Sequence, residues 1–139
     1  MDKVSTSVAE MHIDEDGILQ IRFFKGATVT LEKIKEYYRV SNDLLGGKKA
    51  LVLIDASEDY TVTDEAKTYG QTEEATKNRI AIAYVTGSVA NRIMFNLYLK
   101  IYKPKVPLKM FTSKGAALKW LNSFYVLPGE KYKKQKNKI

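Results

Sequence analysis

Short apolar runs alternate along this chain with longer segments of helical spacing. Residues 8–13 read as a first strand. Asp14-Glu15-Asp16-Gly17 follows as a turn, with Asp-Gly its strongest signal. Ile18, Leu19, Ile21, Phe23 and Phe24, interleaved with Gln20 and Arg22, predict a second strand and hence an antiparallel hairpin. Residues 50–54, 80–85 and 108–111 are further strands. The wholly apolar Leu51-Val52-Leu53-Ile54 has the composition of a central strand covered on both faces.

Between the strands the period changes. Thr30 is placed to cap a helix running to about Leu45, with Leu31, Ile34, Tyr38, Ser41 and Leu45 on its inner side and Gly46-Gly47 as its stop. Thr61 or Thr63 opens a second helix, predicted through Lys77, and Thr61 with Asp64 has the spacing of a capping box. Its packing stripe is thin: Ala66, Tyr69, Gly70 and Ala75. Ser88 caps a third helix whose Ala90, Ile93, Met94, Leu97 and Ile101 form a continuous packing face. Pro104 and Pro107 bracket the next connection. Thr112 or Ser113 caps the last helix, with Ala117, Leu118, Leu121 and Phe124 facing inward. The predicted order is β-β-α-β-α-β-α-β-α. Crossovers of this length join parallel neighbours with right-handed connections, so the opening hairpin adds an antiparallel edge to a parallel sheet.

Composition narrows the chemistry. The chain of 139 residues is of single-domain size and has no cysteine, which excludes disulfides, cysteine-ligated zinc, iron–sulfur clusters and thiol catalysis. Residues 1–10 are polar, unlike a secretory signal, and no apolar stretch reaches membrane-span length. The expectation is a soluble cytoplasmic protein. Of the formal charge of +7, about +4 follows Gly129, where Lys131, Lys133, Lys134, Lys136 and Lys138 are opposed by Glu130. Such a tail reads as a solvated terminus, and nucleic-acid binding is disfavoured because it lacks arginines and interleaved aromatics.

The element order, with Leu51-Val52-Leu53-Ile54-Asp55 leading through a loop to a helix start at Thr61-Val62-Thr63-Asp64, resembles the SpoIIAA-like fold. STAS domains and small bacterial STAS/SEC14-type proteins share that fold, and the resemblance covers residues 8–125. It implies an α/β domain with a mixed, mainly parallel sheet, an N-terminal antiparallel hairpin and helices packed against it. The corresponding domain limits are a disordered N-terminus at 1–7, the α/β domain at 8–127 and a basic flexible tail at 128–139. In anti-sigma-factor antagonists the matching strand leads to an Asp-Ser pair at a helix start, where a partner kinase phosphorylates the serine. This chain has Val62-Thr63-Asp64 there, which leaves Thr61 and Thr63 as the hydroxyls in that region.

Candidate functional residues are few. His12 is the only histidine and alternates with Met11 and Ile13, which fits a half-exposed strand position. In open α/β sheets ligands favour the carboxyl ends of strands, where Asp55, Ser57, Thr61, Thr63, Ser88 and Asn91, with Thr86, would gather. A helix starting at Ser88 would also present free N–H groups. The same residues serve as caps and turn formers. No G-x-G-x-x-G loop or P-loop occurs, and neither Glu58-Asp59 nor Glu73-Glu74 makes a catalytic dyad. The expectation is therefore a non-enzymatic regulatory or protein-interaction module without cofactor or metal. A small-molecule or lipid carrier is the alternative, with the helix after Ser88 moving off the sheet to open an apolar slot. Surplus tyrosines (Tyr37, Tyr69, Tyr98, Tyr102 and Tyr125) suit an interface. A homodimer is expected, because Phe95, Tyr98, Leu99 and Tyr102 widen the apolar arc of the third helix beyond one face.

Overall fold

The computed structural model describes residues 3–125 and 133–134. Its centre is a six-stranded sheet in the order β1-β2-β3-β5-β7-β8. The strands are β1 (Val4–Ser5), β2 (Ala9–Ile13), β3 (Leu19–Phe23), β5 (Ala50–Asp55), β7 (Arg79–Val85) and β8 (Leu108–Phe111). The first two pairings are antiparallel; β3 to β5, β5 to β7 and β7 to β8 are parallel. A small second sheet pairs β4 (Thr28–Val29) with β6 (Thr61–Val62) in parallel. The helices are α1 (Leu31–Leu45), α2 (Asp64–Tyr69), α3 (Glu73–Thr76), α4 (Val89–Ile101) and α5 (Lys114–Leu121).

The turn chemistry explains the hairpin. Asp14 Oδ1 accepts the N–H groups of Asp16 and Ile18, and Gly17 takes the left-handed conformation at φ 84°. The sheet begins earlier than the pattern predicts. Residues 1–7 are expected to be disordered, yet Val4–Ser5 pairs with β2. Thr6 causes this: its hydroxyl oxygen accepts from Val8 and Ala9 N–H and folds the chain back. Two residues are too few to carry a period. The basic tail expected at 128–139 lies outside the described residues, save that Lys133–Lys134 (β10) pairs with Phe124–Tyr125 (β9).

Strand order is sequential within the sheet. Right-handed crossovers then place α1, α2 and α4 over one face, while α5, which follows the last strand, is free to cover the other. Packing follows that division. Ile21, Phe23, Val52 and Ile54 share a core with Ile34, Tyr37, Leu45 and Ala66. Leu53, Ala81 and Ala83 pack with Ala117, Leu121 and Phe124 on the opposite side. Alternate residues of β5 therefore serve two different cores, as its apolar run requires.

Two helix expectations need correction. The helix predicted through Lys77 stops at Tyr69 and restarts at Glu73. Thr72 interrupts it: its hydroxyl donates to Tyr69 C=O and accepts from Ala75 N–H, making a new N-cap. Thr63, not Thr61, caps α2 by accepting from Ala66 N–H; Thr61 belongs to β6. The second correction concerns α4. Its predicted packing face points outward: Ile93 is 61% exposed, Met94 54%, Leu97 49% and Ile101 64%. The side turned toward the sheet carries Asn91, Phe95 and Tyr98.

Candidate functional site

A cavity of about 270 Å³ lies between the sheet and the helices on the α1 side. Its floor is apolar and comes from alternate positions of successive strands: Phe23, Val52, Ile54, Ile82 and Leu108. Period-two alternation puts these side chains on one face. Helix α1 contributes Ile34, Tyr37 and Tyr38; α2 contributes Ala66 and Lys67; α4 contributes Asn91, Met94, Phe95 and Tyr98. The space exists because α4 presents rings to the sheet while its aliphatic residues face away. Met94 and Lys105, both exposed, mark the rim.

Aromatic rings form the wall. Phe23 stacks on Tyr60 with centroids 4.7 Å apart, Tyr37 meets Tyr38 edge-on at 4.7 Å, and Tyr84 tilts against Phe95 at 5.1 Å. Burial raises the phenols of Tyr37, Tyr38, Tyr60 and Tyr84 above the ordinary tyrosine value, since a phenolate there would lose its hydration. Tyr98 is pushed up to about 12, first by burial and then by the neighbouring Tyr102. These hydroxyls stay protonated across the physiological range. They donate or accept hydrogen bonds and do not act as bases.

One wall is polar. Gln71 Nε2 donates to Tyr98 Oη. Gln71 Oε1 is buried without a hydrogen-bond partner among the described residues. Arg79, at the start of β7, is only 4% exposed. Its Nη1 donates to Asn42 Oδ1 and its Nη2 to Ser41 Oγ, each at 2.5 Å, and the guanidinium lies 5.1 Å from the Tyr38 ring centroid. Among the described residues the ion pairs are Lys3–Glu10, Arg22–Glu10 and Lys77–Glu74. Arg79 is therefore a buried cation held by neutral groups.

A family model described as a domain of unknown function (DUF7793) matches residues 11–125. The chain belongs to this family. A crystal structure of an uncharacterised protein of the DUF3478 family, with a SpoIIAA-like fold, from Shewanella loihica PV-4, superposes with a TM-score of 0.57 at 18% identity. That match covers 87% of this chain and 98% of the other. A protein of unknown function from Arthrobacter sp. FB24 matches at 26% identity and a TM-score of 0.33, over 85% of this chain and 95% of that one. Among curated proteins, none matches the sequence. This DUF7793 domain has the SpoIIAA-like architecture, as its element order predicts.

In this DUF7793 domain the candidate residues separate into two groups. Asp55 closes a local turn by accepting Ser57 N–H at 2.9 Å. Thr63 and Ser88 are N-caps of α2 and α4. None of Asp55, Ser57, Thr63 and Ser88 lines the cavity, whereas Thr61 and Asn91 do. Asn91 Nδ2 donates to Ala56 C=O and Thr86 Oγ1, which ties α4 to the ends of β5 and β7. A sequential strand order has no reversal point, and the space lies over the sheet face, reaching the carboxyl ends of β5 and β7 at Ala56 and Thr86. Reading the sequence misses Arg79, Gln71, Tyr38, Tyr60 and Tyr84. The tyrosine surplus was the available signal, and Tyr37 and Tyr98 within it do reach the cavity. His12 pairs opposite Gln20 on the hairpin and is not a lining residue. Among the described residues no group of three metal-binding side chains comes together, and no helix is long and apolar enough to cross a membrane.

Proposed function

We propose that this domain is a non-enzymatic binding module that holds a small molecule between the sheet and α4. The cavity carries the reading. It combines an apolar floor with a few fixed polar groups, the pattern of small-ligand sites, and its volume is near the lower end of their range. The lining residues include no carboxylate and no histidine, which favours binding over acid–base chemistry. Gln71, Arg79 and Asn91 are the fixed polar side chains of that lining. Native mass spectrometry of the purified chain, alone and after incubation with apolar and amphipathic small molecules, tests the idea. One bound molecule per chain is expected. Val62→Trp, which sets a large ring at a half-buried wall position, is expected to remove it. Retention of no compound by the unaltered chain would reject the reading.

A second reading, a regulatory or protein-interaction module, is favoured by a separate observation. The large hydrophobic residues exposed among the described residues, Val89, Ile93, Met94, Leu97 and Ile101, all lie on α4. A contiguous apolar face of this kind marks a contact surface, and a twofold dimer would cover it on both copies. Sedimentation equilibrium at micromolar concentration is expected to give a mass above the monomer's 15.8 kDa. Ile93→Gln with Leu97→Gln is expected to return it to the monomer value. A monomer throughout would remove self-association from this reading.

A further inference from the structure

The charges around the cavity are one-sided. Three cations line it, Lys67, Arg79 and Lys105, and no Asp or Glu does. The sequence reinforces this: between Glu74 and Glu130 it contains no acidic residue, while Lys77, Arg79, Arg92, Lys100, Lys103, Lys105, Lys109, Lys114 and Lys119 are all basic. A low-dielectric space walled by one sign of charge concentrates the opposite sign.

Arg79 gives that field a specific contact. Arginine is rarely buried without an anionic partner, because removing its charge from water is costly unless the charge is compensated. Here Ser41, Asn42 and Tyr37 provide neutral acceptors and the Tyr38 ring provides a face. A guanidinium has five N–H donors in a planar fork, so these neighbours leave donors for an oxyanion. Tyr38 and Tyr98, whose hydroxyls remain protonated, share the same wall.

We propose that the occupant is a small organic anion, with an apolar or aromatic body over the sheet floor and a single negative group against Arg79. The proposal rests on the ligand-binding reading and names the ligand's chemical class. A hydrogen bond to a charged group contributes about 1.5–3 kcal/mol, so the anion should bind about tenfold or more tightly than its neutral analogue.

Two fluorescent probes with one ring skeleton test this: anilinonaphthalene sulfonate and the neutral phenylnaphthylamine, which lacks the sulfonate. The unaltered chain is expected to bind the sulfonate about tenfold or more tightly, and Arg79→Gln to remove most of that preference. Because Arg79→Gln risks misfolding, a second measurement uses the unaltered chain: the Arg79 side-chain Nε–H resonance is expected to shift during titration with the sulfonate and not with the neutral probe. Equal affinity for the two probes would overturn the anion proposal and leave the ligand-binding reading standing. A static Arg79 resonance at saturation, or an undiminished preference in folded Arg79→Gln, would overturn it as well, because the negative group would then sit elsewhere. Binding of neither probe, with no other compound retained, would remove both readings together.

Discussion

Raising the pH above 10 is expected to unfold this protein over a narrow range. In the unfolded chain each tyrosine loses its proton near the ordinary value of 10.0. In the fold, burial keeps the proton on Tyr37, Tyr38, Tyr60 and Tyr84 to higher pH, and Tyr98 to about 12. Above pH 10 the unfolded state therefore binds fewer protons than the folded state. The stabilisation is complete below pH 10 and is lost as the pH climbs through the folded-state values. Each buried tyrosine removes up to ~1.4 kcal/mol per pH unit in that window. Domains of this size have only about 5–15 kcal/mol in total, so several tyrosines acting together exhaust it. Circular dichroism and phenolate absorbance, followed from neutral to alkaline pH, should show the loss of structure coinciding with the ionisation of the five buried phenols. Smooth ionisation of every phenol near pH 10 with the fold retained would mean that the ring cluster is hydrated, and the cavity could not be the apolar space described.

The second large effect distinguishes the two sides of the molecule. Leu53→Ala is expected to cost about 3 kcal/mol, because Leu53 is 2% exposed and packs into the closed core beneath α5. Leu97→Ala on α4 is expected to change the stability of the monomer by less than about 0.5 kcal/mol, because Leu97 faces solvent in the single chain. Urea midpoints of the two variants at unchanged slope measure both. At concentrations where sedimentation gives the monomer mass, a cost for Leu97→Ala as large as that for Leu53→Ala would show that α4 closes onto the sheet and fills the cavity; a cost that emerges only at higher concentration would report the contact surface on α4.

The contrast between these leucines also shows how far the sequence carries. Local signals were sufficient for the hairpin, whose Asp14 and Gly17 act within four residues, and for α1, whose Thr30 and Gly46 cap both ends. The continuous apolar run of β5 announced a strand with two covered faces, and alternate residues of that strand do enter two cores. These features depend on neighbours in the chain and on a fixed period. The break at Thr72 was less legible, because one hydroxyl competing for backbone groups overrides a helical pattern without disturbing it.

Which side of α4 meets the sheet was a tertiary matter. The helix has apolar residues around most of its circumference, so periodicity alone allows either Ile93, Leu97 and Ile101 or Phe95 and Tyr98 to face inward. The outcome is an exposed aliphatic side and a ring-lined space beneath. Arg79 was invisible for a related reason. In sequence it is one cation before an apolar strand, and only the packing of α1 against β7 brings Ser41, Asn42 and Tyr38 around it. The sequence by itself determined the five longer strands, most helix limits and the order that produces a SpoIIAA-like sheet, because those follow from local hydrogen bonding and period. The tertiary structure decided where the cavity lies and which charge it carries, because both depend on side chains from β3, α1, α2, β7 and α4 that are distant in sequence and meet over one face.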